Sequence, residues 1–230
     1  MWGLSADEWS AVWVSLIVAG RAVALALPLA VACAWALSRT RFPGRSALDA
    51  LVHAPMVLPP VVVGYALLLL FGVQGPVGRW LLQSFGARLV FTSEGASLAT
   101  GVMAFPLMVR AVRLSMEAID PRLEAAARSL GAGAWDRAFS LTLPLAAPGI
   151  AAAAITGFAA CLGEFGAVIT FASNVPGVTR TLPLALYTAM QSPGGDALAL
   201  RLAALSFALG LLGLLAAEWL VRRVRRSLGR

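Results

Sequence analysis

The chain has 230 residues, 60% of them hydrophobic and 13% charged, with a formal net charge of +7. A soluble domain carries about 25% charged residues, so this composition takes the bilayer as its solvent, and the length suits one compact membrane domain over residues 1–230. All 18 basic residues are arginine and they flank apolar stretches as topology signals do, so the pI near 11.1 does not mark a nucleic-acid binder; no basic, aromatic-interleaved soluble module is present.

A span needs ~20 mostly apolar residues to cross about 30 Å of hydrocarbon. The first runs from Trp9 to Leu37, interrupted by Arg21 and preceded by Asp7 and Glu8, and ends in the basic turn Ser38 to Arg45 with Pro43 and Gly44. A cleavable signal peptide wants a basic start and a shorter apolar core, so this span is expected to stay. The second, Leu48 to Gly72, carries Pro59-Pro60, which predicts a kink in mid-membrane. A polar stretch with Gly75-Pro76, Arg79, Gln83 and Arg88 follows, with Trp80, Leu81 and Leu82 suited to the interface. The third span is Ala96 to Val112, closed by Arg110 and Arg113. The fourth is Leu145 to Phe171, carrying Glu164. Ser173 to Gly177 reads as a turn, and Thr181 to Gln191 is too short to cross, so it reads as re-entrant or interfacial. The last span is Ala197 to Val221, followed by an arginine-rich end. The expected class is therefore all-α and polytopic, with five transmembrane helices, or six if Thr181 to Gln191 counts as one. Cys33, Cys161 and His53 sit apart in or beside these spans, so neither a disulfide nor a metal site is expected.

With five spans, thirteen arginines fall on one side, including Arg39, Arg41, Arg45, Arg113, Arg122 and Arg137, against Arg79, Arg88 and Arg180 on the other. The positive side is cytoplasmic. That places the C-terminus and residues 114–144 inside and the N-terminus outside, in a multi-pass cytoplasmic-membrane protein.

Within 114–144 lies the polar island Glu117 to Pro144. Asp120-Pro121 is a helix start, Arg122 to Leu130 are strong helix formers, and Gly131 supplies a left-handed stop. Leu123, Ala126, Ala127 and Leu130 recur at one-face spacing, and Glu124 and Arg128 can pair on a neighbouring face. Ala125, Ala126 and Ala127 make a small, flat ridge that a partner backbone can approach. A helix resting on lipid favours large apolar residues instead. Leu143-Pro144 is expected to open the fourth span.

This segment resembles the EAA loop of bacterial ABC-importer permeases. Aligned on Gly131 and Leu143-Pro144, the motif's alanines fall on Ala126 and Ala127, and Leu141 takes its isoleucine place; its glutamate falls on Ala125, with Glu124 one position early. The resemblance narrows to the molybdate permeases through His53 to Tyr65, Gly75 to Gly78, Phe105 to Arg110, Leu162 to Val168 and Thr181 to Tyr187. It implies a type I ABC importer permease acting as a homodimer. It also implies a coupling helix seated on cytoplasmic ABC ATPase subunits and an extracytoplasmic oxyanion-binding protein that delivers substrate. Molybdate is the expected cargo, with tungstate, sulfate and thiosulfate as alternatives; a membrane scaffold or channel subunit is the alternative from another class.

No Gly-Lys-Ser/Thr phosphate loop and no catalytic constellation occurs, so no cofactor is expected in this chain, ATP being bound by the partner subunits. A charge at the bilayer centre costs at least ~2.5–3.5 kcal/mol, so Arg21, Glu164 and Arg201 should face protein or water. Glu164 either gates the path or forms an ion pair with Arg21 or Arg201; as a carboxylate it is an awkward ligand for a dianion. Ser173, Asn174 and Arg180 are the candidates for an external anion mouth.

Overall fold

The computed structural model describes residues 4–40 and 42–227. Helix α1 (Ala6–Arg39) opens with a reciprocal cap in which Ser5 and Glu8 bond each other's backbone N–H. The sequence sets Asp7 and Glu8 ahead of the span, but both lie inside its first turn. Glu8 is buried there and meets Arg201 at 2.8 Å. At 34 residues, α1 is about 51 Å long, more than one bilayer core.

Helix α5 (Ser93–Glu117) runs parallel to α1. Arg21 of α1 bonds Ser93 and Glu94 at the start of α5, and Arg39 bonds the Met116 carbonyl at its end. The seam is made of small residues: Ala19, Ala22, Ala26, Ala30 and Ala34 are buried along α1, against Ala96, Ala99 and Ala104. Hydrocarbon gives little hydrophobic drive for helices to associate, so close backbone approach and dispersion must hold them. Helix α8 (Leu143–Gly163) covers α5 in the opposite sense, with Gly149 against Ser115 and Gly157 against Met108. A Cβ on Gly149 would lie 2.1 Å from the Ser115 Cβ; only glycine fits.

Pro59-Pro60 does more than kink a span. Helix α2 (Arg45–Val57) stops, and α3 (Pro60–Phe71) leaves it at a bend of 118°. Leu58 and Pro59 each precede a proline and are extended, at ψ 144° and 136°, because a following proline disfavours the helical conformation. Pro60 then occupies the first position of a new helix, where no N–H is needed. Together the two helices still run from one end of the bundle to the other. Asp49 near the start of α2 pairs with Arg113 late in α5, and Phe71 at the end of α3 meets Phe171, which lies beside Gly95 at the start of α5.

The stretch after α3 forms a helix not foreseen in the sequence, α4 (Pro76–Phe85), with Pro76 at its first position and left-handed Gly86 at its end. Helix α6 (Pro121–Ser129) is the expected island helix. The following span begins earlier than Leu143: α7 (Ala134–Arg137) runs through a π-turn over Ala138–Thr142 into α8. Pro144 has no N–H to return to the Ser140 carbonyl, and the wider turn accommodates it. The span also ends earlier, at Gly163; Glu164 is extended, and α9 (Gly166–Phe171) is a separate short helix. Helix α10 (Leu182–Met190), too short to cross, donates its Leu182 N–H to the Ser15 hydroxyl oxygen at 2.7 Å. Helix α11 (Asp196–Ser227) is the last span, and Arg230 lies outside the described residues. Among the described residues four helices are long and apolar enough to cross, or five with the bent α2–α3 pair.

Gly149→Leu should lower the thermal midpoint of the detergent-solubilised protein, as overpacking costs typically 1–3 kcal/mol. Gly210→Ala, where an added Cβ meets nothing within 4 Å, should leave it unchanged. Equal midpoints would contradict the close-packed α5–α8 seam.

A capped surface helix and the charges inside the membrane

Nine residues make a helix that is marginal on its own, so the placement of α6 rests on its ends and one ion contact. Asp120 caps the start, its carboxylate accepting from Arg122 N–H at 2.9 Å, with Pro121 following. At the other end Gly131, φ +85°, donates to the Arg128 carbonyl and Ala132 to that of Ala127, both at 3.0 Å. This is the paired-bond stop that glycine permits. Arg137 also donates to the Ala132 carbonyl.

No residue of α6 is buried. Leu123 (44% exposed), Ala126 and Leu130 (89%) face outward, with Ala125 also exposed and Ala127 half-buried. Beyond the helix Trp135 (72%) and Phe139 (65%) extend the apolar surface, and Trp135 stacks between Phe139 and Trp35 of α1. Leu143, half-buried, and Pro144, exposed, form the first turn of α8.

Glu124 takes a partner the sequence did not suggest. It does not pair with Arg128; its Oε1 lies 3.1 Å from Arg39 Nε and accepts from the Thr142 hydroxyl at 3.2 Å. The Nε contact is ionic without hydrogen-bond alignment. Arg39 uses Nη2 to bond the Met116 carbonyl at 2.6 Å. One guanidinium thus joins the end of α1, the end of α5 and the middle of α6, and Glu124 carries the link on to the π-turn before α8. Arg39 and Thr142 are the residues that sequence reasoning missed; the only signal was an arginine closing a span.

Glu164 pairs with neither Arg21 nor Arg201, which are matched to Glu94 at 2.9 Å and to Glu8. Its carboxylate accepts from Ala167 N–H at 2.9 Å, serving the first turn of α9. It also lines a cavity of about 290 Å³ with Pro55, Met56, Leu58, Pro60 and Leu107. The Ser173–Arg180 turn is elsewhere. Arg180 Nε donates to the Asn174 side-chain Oδ1 at 2.9 Å, the Asn174 side-chain amide donates to the Thr188 hydroxyl, and the Ser173 backbone carbonyl accepts from the Thr179 hydroxyl. Ser173 itself is left-handed, at φ 62°. Asn174 and Arg180 are thus brought together, with Ser173 joined through its backbone; among the described residues no hydrogen bond or ion pair links this turn to Glu164.

Breaking the Arg39–Glu124 contact should loosen α6. Glu124→Gln and Arg39→Gln should each raise amide hydrogen exchange across 121–132, with a coupling energy of about 0.5–3 kcal/mol in the double-mutant cycle. Strict additivity would show that the contact does not hold the helix.

The chain is similar in sequence and fold to known transport proteins. Residues 26–226 match the family described as binding-protein-dependent transport system inner membrane component. The chain is 52% identical to the molybdenum transport system permease protein ModB of Escherichia coli (strain K12), across 99% of each. To the ModB of Haemophilus influenzae it is 49% identical, across 96% of this chain and 97% of that one. In fold it resembles a chain of a crystallised bacterial alginate ABC transporter, with a TM-score of 0.77 at 18% identity over 96% of this chain and 80% of that one. The chain therefore belongs to the family of binding-protein-dependent transport system inner membrane components, a family of membrane permeases rather than of enzymes.

Proposed function

We propose that this chain is the membrane subunit of an ATP-driven importer of molybdate, working as a homodimer with α6 seated on cytoplasmic ATPase subunits. The observation that carries the reading is the build of α6. It is capped at both ends, exposed on its small-residue face and tied by Glu124 to Arg39. Identity to molybdenum permeases over nearly the full chain supports the choice of molybdate. Nucleotide is bound by the partner subunits, an external binding protein delivers the anion, and this chain supplies the path.

The arginine distribution supports the orientation: Arg39, Arg113, Arg122 and Arg137 gather at the α6 end of the bundle, which is taken as cytoplasmic, and the N-terminus lies outside. ATP-driven closure of the partners would move the two α6 helices. That displacement changes transport only if the cargo binds the outward- and inward-open states unequally. Asn174 and Arg180, beside Ser173, form the external mouth: one cation and a few donors meet the anion without trapping it. Glu164, at the α8–α9 break, shapes the path and repels an anion that lingers there.

The test is ATP hydrolysis by the purified complex in proteoliposomes loaded with its binding protein. Molybdate should stimulate it more than sulfate or tungstate; stimulation by sulfate alone would change the cargo, and none by any oxyanion would remove the reading. Arg180→Glu should cut molybdate uptake while ATPase subunits still co-purify, and unchanged uptake would remove Arg180 from the path.

A further inference from the structure

Two cavities lie along one side of the α2–α5 pair. The first, about 290 Å³, is bounded by Glu164, Leu58, Pro60, Met56, Met103 and Leu107. The second, about 310 Å³, is bounded by Asp49, His53, Arg110, Arg113, Leu114 and Glu117. On α5, Met103, Leu107, Arg110 and Leu114 follow one another at helical same-face spacing, and so do Asp49, His53 and Met56 on α2. The two cavities are therefore successive parts of one groove, running from Glu164 to the α6 end of the bundle. Leu107, Arg110 and Leu114 are exposed along it.

The charges at its end are unequally used. Arg113 is held by Asp49 at 3.0 Å and Glu117 at 2.8 Å. His53 Nδ1 lies 2.8 Å from the Asp49 carbonyl and 3.4 Å from its carboxylate. Arg110 lines the same cavity and, among the described residues, makes no ion pair. It stands seven residues before the end of α5, roughly 10 Å along the helix axis from that end, at the close of the apolar span. Exposed there, its guanidinium can take water or an anion.

We propose that Arg110 is an anion-binding residue at the inner mouth of the translocation path, the cation of that cavity that no carboxylate holds and that a tetrahedral oxyanion can therefore meet before release. This rests on the import reading and its orientation. The setting favours release over capture. Arg113 is occupied, and the Asp49 and Glu117 carboxylates beside it keep the net charge of the cluster near zero, so the anion is held by one guanidinium only. The same chemistry would also serve a lipid phosphate reaching in from the bilayer.

The test uses the complete complex, permease with ATPase and binding protein, in phosphatidylcholine vesicles, with radiolabelled molybdate as probe and co-purifying phospholipid phosphorus measured on the same preparations. Arg110→Gln should lower ATP-driven uptake roughly tenfold, as expected for one lost charge-assisted hydrogen bond. ATPase co-purification and bound phospholipid should stay unchanged, and Arg110→Lys should keep most of the uptake. A wild-type complex that transports while Arg110→Gln matches it would overturn the assignment of Arg110 alone. Loss of bound phospholipid with uptake intact would overturn it in favour of a lipid headgroup. A wild-type complex that carries no oxyanion would overturn the functional reading and this one with it.

Discussion

The contact of Arg39 with Glu124 is the constraint on which the exposed end of this molecule depends. Helix α6 buries none of its residues, so hydrophobic burial does not fix its position. Its caps decide where it starts and stops, but not where it sits. Arg39 does that, by holding the Met116 carbonyl and the Glu124 carboxylate at once. Because Glu124 also accepts from Thr142, α6 is linked to three long helices, α1, α5 and α8. On the import reading, a push on α6 is passed to the spans through these groups, not through a greasy interface that could slide.

The same discipline runs through the membrane-embedded part. Arg21 is matched by Glu94, Arg201 by Glu8, and Arg113 by Asp49 and Glu117. Arg21–Glu94, Arg201–Glu8 and Arg113–Asp49 each join two different helices, so these charges set register as well as neutralise one another, while Arg113–Glu117 is an i,i+4 pair within α5. Between them the spans approach through alanine and glycine. Gly149 and Gly157 let α8 reach α5, and Gly64 brings α3 within contact of Ala167 and Thr170. Arg110, exposed and without an ion pair among the described residues, departs from this pattern.

What depends on local chemistry was legible in the sequence. Apolar length marked the spans, and Asp120-Pro121 and Gly131 bounded α6 where it is found. The helix α4 carried equally good signals in Pro76 and Gly86, which the polar composition around them obscured. What depends on distant partners was not legible. Pro59-Pro60 announced a break, but the 118° bend follows from where α3 finds α9 to pack on. Glu124 was read against its helical neighbour Arg128, and its true partner comes from the end of another span. Glu164 was read as either a gate or the ion-pair partner of Arg21 or Arg201; the ion pair does not form, and because α8 ends beside it, the Ala167 N–H in the first turn of α9 is its partner instead. The span from Ala134 was misjudged because Pro144 reads as a helix opener, whereas a π-turn lets an existing helix absorb it.

The most direct test of the central claim, that the exposed small-residue face of α6 is a docking surface for an ATPase, is co-purification of the ATPase subunit with an Ala126→Trp permease. Ala126 is exposed and lies in none of the buried clusters, so the variant should fold and insert as the wild type does. The account predicts that the ATPase subunit is lost from the purified permease. Retention of the ATPase at wild-type stoichiometry would contradict it.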